Sequence, residues 1–156
     1  RFTMTKEALQ KLIDTWIPEL EFTEEESQYL TITVKPADLY QLMTNLKENK
    51  ETQFDYLFCL TGIDWGNELG VIYHLEATEH RHAVVVKVKT DDRENPKIDS
   101  VCDIWRTAEF HEREVFDFFG ISFNNHPNLK RLFLTDEWSG FPLRKDYVDE
   151  INMVIK

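Results

Sequence analysis

The stretch Glu109-Phe110-His111-Glu112-Arg113-Glu114-Val115-Phe116-Asp117 holds the side chains of this chain best suited to chemistry. Glu109, Glu112, Glu114 and Asp117 could in principle supply paired carboxylates for acid–base work. His111-Glu112 also opens like the HExxH helix of a zinc protease, but the second ligand position holds Val115, so only one imidazole would face a metal. That excludes a zinc protease. Of the other histidines, His74, His80, His82 and His126, only His80 and His82 pair closely, and strand alternation puts them on one face at a hairpin mouth, as a surface pair. No GxSxG elbow occurs, and neither Cys59 nor Cys102 lies in a nucleophile signature. The glycines Gly62, Gly66, Gly70, Gly120 and Gly140 form neither GxGxxG nor GxxxxGK[ST], so both familiar phosphate cradles are absent. Glu109/Arg113 and Arg113/Asp117 are i, i+4 pairs, which predicts an ion-pair ladder on a solvated or docked helix face rather than a catalytic site.

Those residues need a scaffold, and 156 residues with 42% apolar and 13% aromatic side chains suffice for one folded core. The net charge of −11 would repel nucleic acid and anionic membrane surfaces over most of the protein. Cys59 and Cys102 sit in apolar patterns, as buried reduced thiols do. The longest apolar runs, Tyr56–Leu60 and Ala83–Val86, fall far short of the roughly 20 residues that span a bilayer. Arg1 ahead of the first methionine, Met4, suggests a trimmed or cloned start, and without a signal or transit pattern the expected location is cytoplasmic.

Ala8, Leu9, Leu12, Ile13, Trp16 and Ile17 mark one helical face, with Thr5 placed to cap it and Pro18 to stop it. Glu19–Glu24 and Gln28–Val34 alternate as two strands around an acidic turn at Glu25–Ser27. Pro36 starts a second helix through Leu39, Leu42, Met43 and Leu46. Three strands follow: Phe54–Thr61, with Phe54, Tyr56, Phe58 and Leu60 on one face; Leu69–Ala77; and Arg81–Thr90, the last two a hairpin through Thr78–His80. A loop at Asp91–Lys97 precedes further helix from about Ser100 to Phe119, ended by Gly120. The expected fold is α+β: a mixed or largely antiparallel sheet with helices packed on it. The division is a core over residues 1–122 and a long, irregular C-terminal extension over 123–156.

That extension carries Leu129, Leu132, Phe133, Leu134, Trp138 and Phe141. Between His126 and Tyr147 it also has Lys130, Arg131, Arg144 and Lys145 against Asp136, Glu137 and Asp146, a local balance of 4 − 3 = +1 in an acidic chain. Basic groups interleaved with aromatics suit a protein–protein surface, and equally suit a loop that folds back on its own domain.

Two strings in order carry a resemblance. Glu112-Arg113-Glu114-Val115-Phe116-Asp117-Phe118-Phe119-Gly120-Ile121, followed by His126-Pro127-Asn128-Leu129-Lys130-Arg131-Leu132, resembles the hallmark of the 30 kDa or C subunit of NADH-quinone oxidoreductase, respiratory complex I. Gly140-Phe141-Pro142-Leu143-Arg144-Lys145-Asp146-Tyr147 is similar to the family's second signature, and Asp103–His111 also fits. Lys130, Phe133, Trp138 and Phe141 depart locally from the usual pattern. The resemblance implies a non-catalytic scaffold in the peripheral arm, on the cytoplasmic side of the bacterial membrane, docked on the D subunit and its neighbours. It implies no cofactor in this chain, because flavin, iron–sulfur clusters and quinone are bound by other subunits. Glu112, Arg113, Glu114 and Asp117 become candidates for a charged helix that pins the tail or a partner. His126, Lys130, Arg131, Arg144, Lys145 and Asp146 become candidates for the interface itself. Equivalent subunits of membrane-bound hydrogenases and of ferredoxin- or deazaflavin-linked complexes remain the alternative, with a stand-alone acid–base enzyme behind them.

Overall fold

Residues 5–24, 29–131 and 140–147 are described by a computed structural model. Helix α1 (Lys6–Trp16) starts where Thr5 accepts a hydrogen bond from the Ala8 N–H on its side-chain oxygen, at 3.2 Å, and it buries Leu9 and Ile13. Strands β1 (Glu21–Glu24) and β2 (Leu30–Val34) pair antiparallel, while the acidic turn expected between them lies outside the described residues. Helix α2 (Pro36–Glu48) has its proline in the first turn, where the missing N–H costs nothing, and buries Leu39, Leu42, Met43 and Leu46. Strands β3 (Tyr56–Asp64), β4 (Leu69–Ala77) and β5 (His82–Thr90) complete a five-stranded sheet in the order β1-β2-β5-β4-β3. Within this sheet only the β2–β5 pairing is parallel, so it is mixed and mostly antiparallel, as expected of the α+β class.

Cross-strand register builds the core in rows. Leu30, Val84, Leu75 and Leu57 lie side by side, as do Ile32, Val86, Tyr73 and Leu60, and then Val34, Val88, Val71 and Gly62. Every side chain in these rows is buried, against the apolar faces of the helices. Simple alternation misassigns β3. A bulge between Leu57 and Cys59 inserts one residue, so Leu57 and Leu60 both reach the core, while Tyr56 and Phe58 stand 48% and 41% exposed. Phe54, expected in the same strand, precedes it; the residue is fully buried and its carbonyl accepts the Trp105 indole N–H at 2.9 Å.

The third helix also begins later than periodicity suggests. Lys97–Asp99 is strand β6, residues 100–107 are turns, and helix α3 runs only over Ala108–Phe119 before Gly120 caps it at φ 73°. The turns hold because their polar groups have distant partners. Ser100 and Val101 donate to the Glu112 carboxylate, Tyr40 of α2 donates to Asp103, and the Lys47 ammonium donates to the Ile104 carbonyl. Strand β7 (Ser122–Asn124) pairs parallel with β6, buries Phe123, and straddles the expected boundary after residue 122. Helix α3 packs over β3 closely enough that a Cβ on Gly62 would come within 2.6 Å of the Phe119 ring.

Gly70 is the tightest point of the sheet. An added Cβ there would sit 2.0 Å from the Val88 carbonyl oxygen, a backbone atom fixed in the β4–β5 ladder. Gly70→Ala should therefore destabilise the fold by about 2–3 kcal/mol through forced backbone displacement, read as a lowered denaturation midpoint in urea. Gly66→Ala should cost less, since nothing lies within 4 Å there and only its φ of +100° resists substitution.

Candidate functional site: the carboxylates of α3 and the returning tail

Glu112 does not lie on a solvated ladder. It is fully buried, accepts the Ser100 hydroxyl at 2.5 Å and the Val101 N–H at 3.0 Å, and so ties α3 to the turn that precedes it. Burial pushes its carboxyl up to about 7; the two hydrogen bonds oppose that push and the charge of Asp103 adds to it. Asp117, also fully buried, pairs with Arg131 at 3.2 Å, and the same guanidinium donates to the Asp117 carbonyl at 2.6 Å and the Gly140 carbonyl at 3.0 Å. The expected ladder through Arg113 is thus replaced: Asp117 takes its cation from the tail, because a buried carboxylate needs a partner that can be buried with it. Arg113 is half-buried, with its Nε enclosed and without a hydrogen-bond partner among the described residues. Glu114 is half-buried and Lys130 exposed.

His126 closes the turn after β7. Its Nδ1 accepts the Asn128 N–H at 3.0 Å, so Nε2 carries the proton and donates to the Glu109 carbonyl at 2.9 Å. Of the tail expected to be irregular, residues 140–147 are described and fold back over the end of α3. Leu132, Phe133, Leu134, Asp136, Glu137 and Trp138 lie outside the described residues.

Sequence reasoning missed the anchor of that returning segment. Asp64, at the end of β3, is gripped by Arg93 through two parallel hydrogen bonds of 2.7 and 2.8 Å and also accepts the backbone N–H groups of Gly66 at 2.8 Å and Lys145 at 2.9 Å. The Arg93 bonds hold the Asp64 carboxyl well below the usual carboxylate range, and they raise the guanidinium in turn. Asp146 joins at 3.4 Å from Arg93. Arg144 donates to the Phe119 carbonyl at 2.5 Å and the Arg93 carbonyl at 2.9 Å. The Arg131 and Arg144 guanidinium groups lie over the Phe141 ring, 4.7 and 5.2 Å from its centre, and the ring seats on Gly120, where a Cβ would come within 2.5 Å. The signal for Asp64 and Arg93 is tertiary: they are separated by two strands of sequence, and neither lies in a motif.

Thus Asp117, Arg131, Arg144, the Lys145 backbone and Asp146 come together around one helix end. Glu112 and His126 serve neighbouring turns. The arrangement holds the segment 140–147 of the chain itself. A cleft of about 510 Å³ beside Glu19, Thr33, Lys35, Glu68 and Lys89, and a smaller one beside Lys6 and Phe22, are lined by none of the α3 carboxylates. Among the described residues no group of three His, Cys, Asp or Glu side chains could hold a metal ion, and no helix is long and apolar enough to cross a membrane.

The fold is an α+β body with its own C-terminal segment folded over α3. Residues 32–151 match the family described as respiratory-chain NADH dehydrogenase, 30 Kd subunit, and the chain belongs to that family. It is 50% identical over 122 residues to the C/D subunit of NADH-quinone oxidoreductase from Phocaeicola vulgatus, covering 78% of this chain and 23% of that one. It is 44% identical over 128 residues to the C subunit of NADH-quinone oxidoreductase from Chloroherpeton thalassium, covering 80% and 53%. The chain therefore spans about a quarter of the first relative and about half of the second. Among solved structures, a trypsin-resistant fragment (1-134) of Nqo5 has the same fold, with TM-score 0.66, 24% identity, and coverage of 78% of this chain and 98% of that one. A chain of the membrane-bound sulfane sulfur reductase, an archaeal respiratory membrane complex, matches with TM-score 0.77 and 26% identity over 93% of this chain and 86% of that one.

The two anchoring carboxylates titrate in opposite senses. Glu112, raised in the fold from about 4.5 to about 7, takes up a proton on folding, so its contribution is full below pH 4.5 and is lost as pH rises through 7. Asp64, lowered in the fold, stabilises above its ordinary range and loses that contribution as pH falls below it. Between pH 5 and pH 8 the Glu112 contribution should fall by on the order of 1–3 kcal/mol, read as the difference between urea titrations of wild type and Glu112→Gln, because His74 and His82, lowered by burial, act in the opposite sense over the same range. Glu112→Gln should flatten that limb while leaving the acid limb in place.

Proposed function

We propose that this chain is a non-catalytic subunit of the peripheral arm of an NADH-quinone oxidoreductase. It scaffolds the quinone-site subunits of a complex that carries electrons from NADH to quinone with proton translocation. The observation that carries this reading is the 50% identity to a C/D chain of that oxidoreductase, joined to a site whose charged groups bind the chain's own tail. The partner is the D subunit together with its neighbours. Relatives named C/D hold the two in a single chain, which fixes them at equal stoichiometry and within reach of each other. In this reading the chain holds no cofactor; flavin, iron–sulfur clusters and quinone belong to its companions. It works on the cytoplasmic side of the bacterial membrane without crossing it.

Division into a body and a docking extension is part of the same proposal. The trypsin-resistant fragment of Nqo5 aligns over 78% of this chain, which supports a self-contained body. A second reading, a subunit of a related respiratory membrane complex, is favoured by the match to the sulfane sulfur reductase over 93% of the chain. The companions decide between the two, since this chain touches neither electron donor nor acceptor in either reading.

Co-expression with the candidate D subunit, followed by size-exclusion chromatography with light scattering, should give a 1:1 complex. Leu143, 56% exposed, is the large apolar group that the described part of the tail offers outward, so Leu143→Glu should weaken that complex by about tenfold or more without lowering the chain's own melting temperature. Arg113→Ala should lower the yield of assembled complex while leaving quinone reduction per assembled complex unchanged. A chain that ignores the D subunit yet purifies with the companions of another respiratory complex favours the second reading.

A further inference from the structure

The last carbonyls of α3 have no partner inside the helix, and the positive end of any group placed there meets a favourable dipole. Residues outside the helix supply those partners. The Asp117 carbonyl accepts from Arg131, the Phe118 carbonyl from the Leu143 N–H at 2.9 Å, and the Phe119 carbonyl from Arg144. Asp64, its side chain 2% exposed, takes the Lys145 N–H beside the Arg93 fork. Phe141 fills the space that Gly120 leaves by having no side chain. Opening the segment would uncover two helix-end acceptors, one acceptor position on a buried carboxylate and an aromatic seat at once.

We infer that Gly140–Tyr147 is a strap that closes on the chain's own body in the free subunit, with Asp64 and the C-terminal end of α3 as its receptor. A partner then meets a preformed surface led by Leu143 rather than a peptide that must fold as it binds. Because the ordering entropy is already spent within the subunit, docking loses less freedom than coupled folding would. The assignment also separates two neighbouring residues. Arg144 acts through its guanidinium, whereas Lys145 acts through its backbone N–H, its side chain standing exposed. The inference rests on the assembly reading only for the purpose of the surface; closure itself concerns the isolated chain.

Amide hydrogen exchange on the full chain, without any partner, tests it. The Leu143 and Lys145 amides should exchange at least about tenfold more slowly than in an unstructured peptide at pH 7. Arg144→Gln and Asp64→Asn should each remove most of that protection while leaving the amides of β4 and β5 protected, which controls for global unfolding. Lys145→Ala should leave it intact, since only the main chain is used. Exchange at free-peptide rates in the wild type overturns the strap, as does protection unchanged in both Arg144→Gln and Asp64→Asn. Protection that arises only when the D subunit is added also overturns it, and assigns the segment to folding on binding. Failure to bind the D subunit with protection present refutes the assembly reading and leaves the strap standing.

Discussion

A helix that ends inside a protein leaves carbonyls facing a place without water, and the arrangement around α3 follows from that constraint. Gly120 turns the chain away in a left-handed conformation that other residues adopt at a cost, and its missing side chain leaves a seat. Phe141 occupies the seat, two arginines lie over the ring, and both donate to α3 carbonyls. Cations at this end are favoured twice, by the dipole and by the buried Asp117. One structural need thereby gathers residues that sequence places far apart.

The two buried acids of α3 are handled differently, and magnitudes show why. Asp117 receives a guanidinium, whereas Glu112 receives only a hydroxyl and an amide, so at Glu112 burial dominates and raises the carboxyl. Asp64 marks the opposite limit, held charged by a bidentate arginine and two amides. These groups stabilise specific turns and a specific path of the tail. Each is held by groups of the chain itself, which ties α3 to its neighbours.

Much of the framework was legible because it rests on local rules. Thr5 capping α1, Pro36 opening α2, Gly120 closing α3 and the alternation of β2, β4 and β5 all came out as periodicity and capping predict. The failures share a cause. The bulge in β3, the late start of α3 and the short β6–β7 pair each depend on a partner distant in sequence. The i, i+4 ladder failed in the same way, because spacing on a helix says which groups could meet and not which side is buried.

By itself the sequence determined the α+β class, the location of five of the seven strands among the described residues, the membership of α1 and α2 in the core, and the two signatures that carry the family. These are properties of pattern and of residue order, which need no knowledge of what lies across the fold. Only the tertiary structure decided the strand order, the burial of Glu112 and Asp117, and the pairing of Asp64 with Arg93. It also turned Arg131 and Arg144 inward, onto the carbonyls of α3. Burial determines whether a charge must find a partner, and burial is fixed by which surfaces meet, a quantity that no local window contains.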